Sequence, residues 1–230
     1  MADQQRAAQE DAAAAEELVA FVNACPSVFH TAAEIRRRLD GAGFAFLPET
    51  AAWRIRPGGR YYTVRNNSSV IAFKVGEGCL GARGAAQGTD PVSESAAPLR
   101  FQLTASHADS PTFKVKAVPE LDGPDGYVRL SVEAYGGKIV YTWFDRPLSL
   151  AGRVLVRCGS RVESWLVSID QDVALIPSLA VHLQRGVNEG FSPNRAVDLC
   201  PVFTAGCLGR GSLDALVAEA AGVDPAQVLG

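Results

Sequence analysis

Apolar positions near helical spacing open the chain. Leu18, Phe21 and Val22 punctuate an alanine-rich run from Glu16 to Ala24, and Cys25-Pro26-Ser27 stops it, which predicts one helix. A second helix of about three turns is expected to start at Thr31, with Glu34 completing a capping box. It carries Ile35 and Leu39 and ends at Gly41 or Gly43. From Gly59 the period shortens to two: Arg60 to Val64 and Ser69 to Val75 read as strands around an Asn66-Asn67 turn. Gly76 to Pro98 has no period and reads as a loop, after which Arg100 to Ala105 is a short β-prone run ending at Ser106-His107-Ala108-Asp109-Ser110-Pro111.

Alternation resumes at Phe113 to Lys116. Beyond Pro119 the segments Tyr127 to Ala134, Ile139 to Phe144, Gly152 to Arg157 and Val162 to Ile169 are strand-like, with Gly or Pro between them. Pro177 to Gln184 and Ser212 to Ala221 are expected as helices, the latter with a serine cap and a stop at Gly222. The pattern gives an α/β protein with a boundary near residue 118, helices and a few strands before it and a mostly β region, 119 to 230, after it.

Composition narrows the classes of partner. The 230 residues are 47% hydrophobic with a formal net charge of −3, and basic residues are scattered, so there is no electrostatic footprint for nucleic acid. Met1 to Ala15 lacks the basic start and apolar core of a signal peptide, and no run reaches the roughly 18 apolar residues of a membrane span. A cytoplasmic protein without a membrane partner is expected. The cysteines Cys25, Cys79, Cys158, Cys200 and Cys207 are odd in number and contain no CxxC pair, arguing against a disulfide framework and a thiolate zinc site.

The sharpest chemical cluster is His107-x-Asp109. Neutral imidazole is a good zinc ligand, and a carboxylate two residues on can orient the ring. A capped strand end with a turn at Asp109-Ser110-Pro111 explains the same residues. The wider context is FQLTASHADSPTFKVK (Phe101 to Lys116), YGGKIVYTWFDRPLSLAGRVLV (Tyr135 to Val156), IPSLAVHLQRGVNEGFSPN (Ile176 to Asn194) and FVNACPSVFHTAAEIRRRLDGAGF (Phe21 to Phe44). Together these blocks resemble, in order, the aspartyl aminopeptidase family of zinc metallopeptidases.

The resemblance implies that 1–118 is the N-terminal part of an α/β catalytic domain and 119–230 a mostly β dimerisation domain. It implies a two-zinc cofactor with His107 as a ligand, Asp109 as the catalytic-site carboxylate supporting that ligand, and His182 as a substrate contact reaching a neighbouring subunit. Peptide substrates with acidic N-terminal residues and a homo-oligomer follow from the same source. The bridging carboxylate, the Glu-Glu pair with its general base and the late histidine of the family find no match here. Glu16-Glu17 reads as a solvated helix face. The chain is therefore expected to be inactive alone, as a truncated enzyme or as one half of an enzyme whose other half another polypeptide supplies; the alternative is a non-catalytic assembly module built on the dimerisation domain. Trp143, Asp145 and Arg146 are read as structural or interfacial, and His30 as a helix-start histidine.

Overall fold

A computed structural model describes residues 2–78 and 100–229. Contacts divide the chain into two units, Met1–Asp109 and Ser110–Gly230.

The first unit begins with helices α1 (Ala2–Ala24) and α2 (Val28–Gly41), followed by strands β1 (Ala45–Phe46), β2 (Arg60–Arg65) and β3 (Ser69–Lys74). β1 runs parallel to β2, and β2 pairs antiparallel with β3 from Arg60↔Lys74 to Arg65↔Ser69. Asn66 and Asn67 both stand at φ 53°, the left-handed conformation that Asn tolerates better than most residues and that hairpin turns demand. The core of this unit is Tyr62, whose buried ring packs 5.3 Å from Phe46 while its hydroxyl donates to Asp40 Oδ1 of α2 at 2.7 Å. Burial first, and the Asp40 carboxylate second, push the Tyr62 phenol above its ordinary pKa. A Cβ at Gly59 would lie 2.3 Å from the Tyr61 hydroxyl, so any other residue there requires the buried Tyr61 ring to move.

Several expectations for this unit change. α1 extends well before Glu16, through the alanine-rich run whose members lose little entropy in a helix. α2 is capped by Ser27, not Thr31: Ser27 Oγ accepts from His30 N at 3.4 Å, and Thr31 lies inside the helix, donating its hydroxyl to Ser27 O. Arg100 to Ala105 forms no strand. Phe101 and Leu103 are 80% and 89% exposed, and without a ladder partner among the described residues the β-prone run has nothing to pair with. Most of the expected loop from Gly76 to Pro98 lies outside the described residues.

The second unit is a five-stranded sheet, β4 (Thr112–Asp122), β5 (Tyr127–Tyr135), β6 (Pro147–Cys158), β7 (Arg161–Leu175) and β8 (Val202–Ala205), in spatial order β4-β5-β8-β7-β6. The boundary expected near residue 118 falls inside β4, which continues through a register shift between Val115 and Glu120. Helix α3 (Ser212–Ala221) covers the sheet. Leu213 and Val217 pack with Leu130 and Val132, while Val217 and Ala221 pack with Val154, Val156 and Val167. Burying a leucine such as Leu213 is worth about 1.5–3 kcal/mol. α3 stops at Gly222 in the left-handed conformation, φ 68°.

Its start differs from the expected serine cap. The buried carboxylate of Glu120 accepts from Gly211 N at 2.6 Å and from Leu213 N at 2.9 Å, neutralising the positive end of the helix. Two further expectations fail. Ile139 to Phe144 is a 3₁₀ turn at Val140–Trp143, where Thr142 turns its hydroxyl back onto Ile139 O at 2.7 Å. Pro177 to Gln184 makes only one turn at Ala180, because Leu179, Val181 and Leu183 are all exposed and a helix there would bury no apolar face.

Candidate functional site

In the Met1–Asp109 unit, His107 sits on irregular backbone after the unpaired Arg100 to Ala105 run, not at the end of a strand. His107 Nδ1 lies 2.8 Å from Asp109 Oδ1, while the imidazole is 91% exposed. A ring held at Nδ1 by a carboxylate presents Nε2 outward, which is the arrangement by which metal-binding histidines are oriented. The expected carboxylate and histidine are therefore brought together, and the ring is not packed into hydrocarbon.

The donor set limits what this arrangement can hold. Among the described residues no group of three or more His, Cys, Asp or Glu is placed to hold a metal ion. Zinc takes three or four protein ligands. With Asp109 engaged at Nδ1, the pair fits one ligand position of a zinc shell. His30, in the first turn of α2, faces Ser27 Oγ at 2.8 Å, and burial lowers its pKa. It is not associated with His107.

In the Ser110–Gly230 unit, His182 is exposed on the single turn that starts at Ala180, and it is not helix-borne. This turn is tied down by Asp145. The Asp145 backbone stands at φ 54°, its N–H donates to Ile176 O at 2.9 Å, and its Oδ1 accepts from Ser178 N at 2.8 Å. The Ser178 hydrogen bonds hold the Asp145 carboxyl below its ordinary pKa. Trp143 stacks edge-on against Phe113 at 5.0 Å, and Lys138 lies over both rings, at 3.7 Å from Phe113 and 5.1 Å from Trp143, donating to Thr112 O. Trp143 and Asp145 thus make packing and backbone contacts within this unit, and Asp145 fixes the segment that carries His182.

Sequence reasoning missed Glu120 and Lys138. Glu120 had no visible signal, because its partner amides lie 91 and 93 residues away. Lys138 follows the Gly136-Gly137 pair, and only the fold places it over two rings.

Comparison with known proteins gives the context. Residues 21–214 match the family described as Aminopeptidase I zinc metalloprotease (M18). Among similar curated proteins, "Probable M18 family aminopeptidase 2" of Ectopseudomonas mendocina (strain ymp) is 43% identical over 186 residues, covering 81% of this chain and 39% of that protein. The chain thus spans about two fifths of such a relative. Among solved structures, "Cryo-EM structure of the Ape4 and Nbr1 complex" is similar at a TM-score of 0.80 and 32% identity, covering 94% of this chain and 42% of the other. Another, "Structure of S. cerevesiae mApe1 dodecamer", gives a TM-score of 0.66 and 26% identity over 94% of this chain and 46% of the other.

Proposed function

Since this chain belongs to the Aminopeptidase I zinc metalloprotease family (M18), we propose that it supplies part of the active site of an aminopeptidase that releases acidic N-terminal residues from peptides. The observation that carries the reading is the His107 Nδ1 to Asp109 Oδ1 contact of 2.8 Å on an exposed ring. His107 would hold one ion of a two-zinc site, with Asp109 fixing the ring's tautomer and raising its basicity. The chemistry zinc supplies when bound is Lewis acidity toward water and toward the scissile carbonyl. The remaining ligands and the general base come from polypeptide other than the described residues, which hold no further metal-like group.

His182 contacts substrate from the β unit of a neighbouring protomer, on a turn whose position is set by Asp145. The dodecamer of the similar S. cerevesiae mApe1 supports a homo-oligomer. A cytoplasmic location is compatible with the absence, among the described residues, of any helix long and apolar enough to cross a membrane.

Zinc content and kcat/KM measured together in an intact relative separate the two histidine roles. His107→Ala lowers both. His182→Ala lowers kcat/KM by about tenfold or more with zinc content retained, and equal loss of zinc would refute its role. The non-catalytic assembly reading draws on the self-contained core of Ser110–Gly230. It is favoured over the peptidase if loss of both histidines leaves the intact relative's activity unchanged.

A further inference from the structure

The Ser110–Gly230 unit contains a cavity of about 300 Å³ between the Val140–Trp143 turn and the Phe191 to Arg195 segment, lined by Val140, Tyr141, Phe191, Ser192, Pro193 and Arg195. Ring contacts fix its wall: Phe191 meets Phe144 edge-on at 5.2 Å and Tyr141 at 6.4 Å. Arg195 is presented by a tight turn in which Ala196 N donates to Asn194 Oδ1 at 3.0 Å and Asn194 N donates to Asp198 Oδ2 at 2.7 Å. The carboxylate three residues along is thereby engaged by backbone and does not answer the guanidinium. Among the described residues Arg195 has no hydrogen-bond or ion-pair partner.

A second cation adds to this imbalance. Lys138, held over Phe113 and Trp143, has its pKa lowered by burial and, in the same direction, by the positive charge of Arg195. No carboxylate among the described residues pairs with either. Arg195 alone carries charge on the cavity lining, with Lys138 outside it as a like-charged neighbour, and an unanswered guanidinium on an aromatic wall is relieved by a bound anion. A guanidinium fork matches the two oxygens of a carboxylate, and rings beside it accommodate an apolar neighbour. The volume is at the small end for ligand pockets, enough for one or two residues of a peptide.

We infer that this cavity binds a peptide carboxylate, seated on Arg195 with the adjoining side chain against Tyr141 and Phe191. The peptide as ligand class rests on the aminopeptidase reading, whereas the anion chemistry does not. The carboxylate is either a C terminus or an acidic side chain.

Amide NMR titrations of the 230-residue chain with three probes test it: acetyl-leucyl-phenylalanine as free acid, the same dipeptide as carboxamide, and acetyl-glutamyl-phenylalanine carboxamide. The free acid is expected to shift Ser192 and Arg195 saturably, the leucyl carboxamide to bind about tenfold more weakly or not at all. Binding of the glutamyl carboxamide shows that any carboxylate serves, and its failure that only a C terminus does. Both outcomes support the site. Arg195→Ala is expected to weaken the free acid about tenfold, Arg195→Lys less so, and Arg161→Ala, an exposed cation at the start of β7, to leave it unchanged. Equal binding of acid and leucyl carboxamide, equal binding of inorganic phosphate, or wild-type affinity in Arg195→Ala would overturn the inference. No zinc or turnover enters the readout, so this can fail while the peptidase reading stands.

Discussion

Single carboxylates in this protein fix groups that the sheet does not hold, a ring in one case and a helix start in the other. Asp109 holds His107 at 2.8 Å, and removing that support costs an oriented ligand about 10–100-fold in metal affinity. Asp109→Ala in an intact relative is therefore expected to lower zinc affinity by that factor, measured by chelator competition. An unchanged affinity would show that the carboxylate only closes a turn. Glu120 performs the analogous task for α3, being 7% exposed and bound to two amide groups of the helix start. Glu120→Ala leaves the buried Leu213 N–H and the more exposed Gly211 N–H without their acceptor, an expected loss of about 1–3 kcal/mol in denaturant unfolding. A loss below about 0.5 kcal/mol would mean that water replaces the carboxylate.

At the scale of elements, α2 is held by charge on its exposed side and by Tyr62 beneath. Glu34, 13% exposed, accepts from Arg37 at 2.6 Å and from Arg38 at 2.8 Å, which hold its carboxyl down from 4.5 to about 2. A carboxyl whose folded pKa lies below its unfolded one stabilises fully above the unfolded value and loses that contribution as pH falls through the folded one. The Glu34 contribution is thus complete above about pH 4.5 and gone below about 2. Glu34→Gln is expected to flatten that part of the pH dependence of unfolding, followed by circular dichroism. An unchanged acid limb would assign it to other carboxylates. These elements also show how far the chain could be read in advance. The Asn66-Asn67 hairpin and α3 with its Gly222 stop were legible because their signals are local: left-handed turn residues, period and a C-terminal glycine. The 3₁₀ turn at Val140–Trp143 and the irregular segments at Arg100 to Ala105 and Pro177 to Gln184 were not. Their apolar residues imitate strand or helix periods, and only the absence of a partner surface decides against them. At the candidate site the His107–Asp109 pair was visible in spacing, whereas Asp145 anchoring Ser178 across 33 residues was not.

The whole molecule consists of two units with separate cores, one built around Tyr62 and the other around Leu130, Val156 and α3. The two histidines with proposed roles stand one in each: His107 in Met1–Asp109 and His182 in Ser110–Gly230. Neither unit gathers three metal donors among its described residues, and the proposed function makes His107 one contributor to a larger site. Zinc titration of the purified 230-residue chain, with metal counted after dialysis and release of N-terminal aspartate assayed in parallel, tests this most directly. The account predicts weak binding that perturbs the His107 ring, well under one zinc retained per chain, and no release. One zinc or more retained per chain, with turnover of an aspartyl or glutamyl peptide, would contradict it.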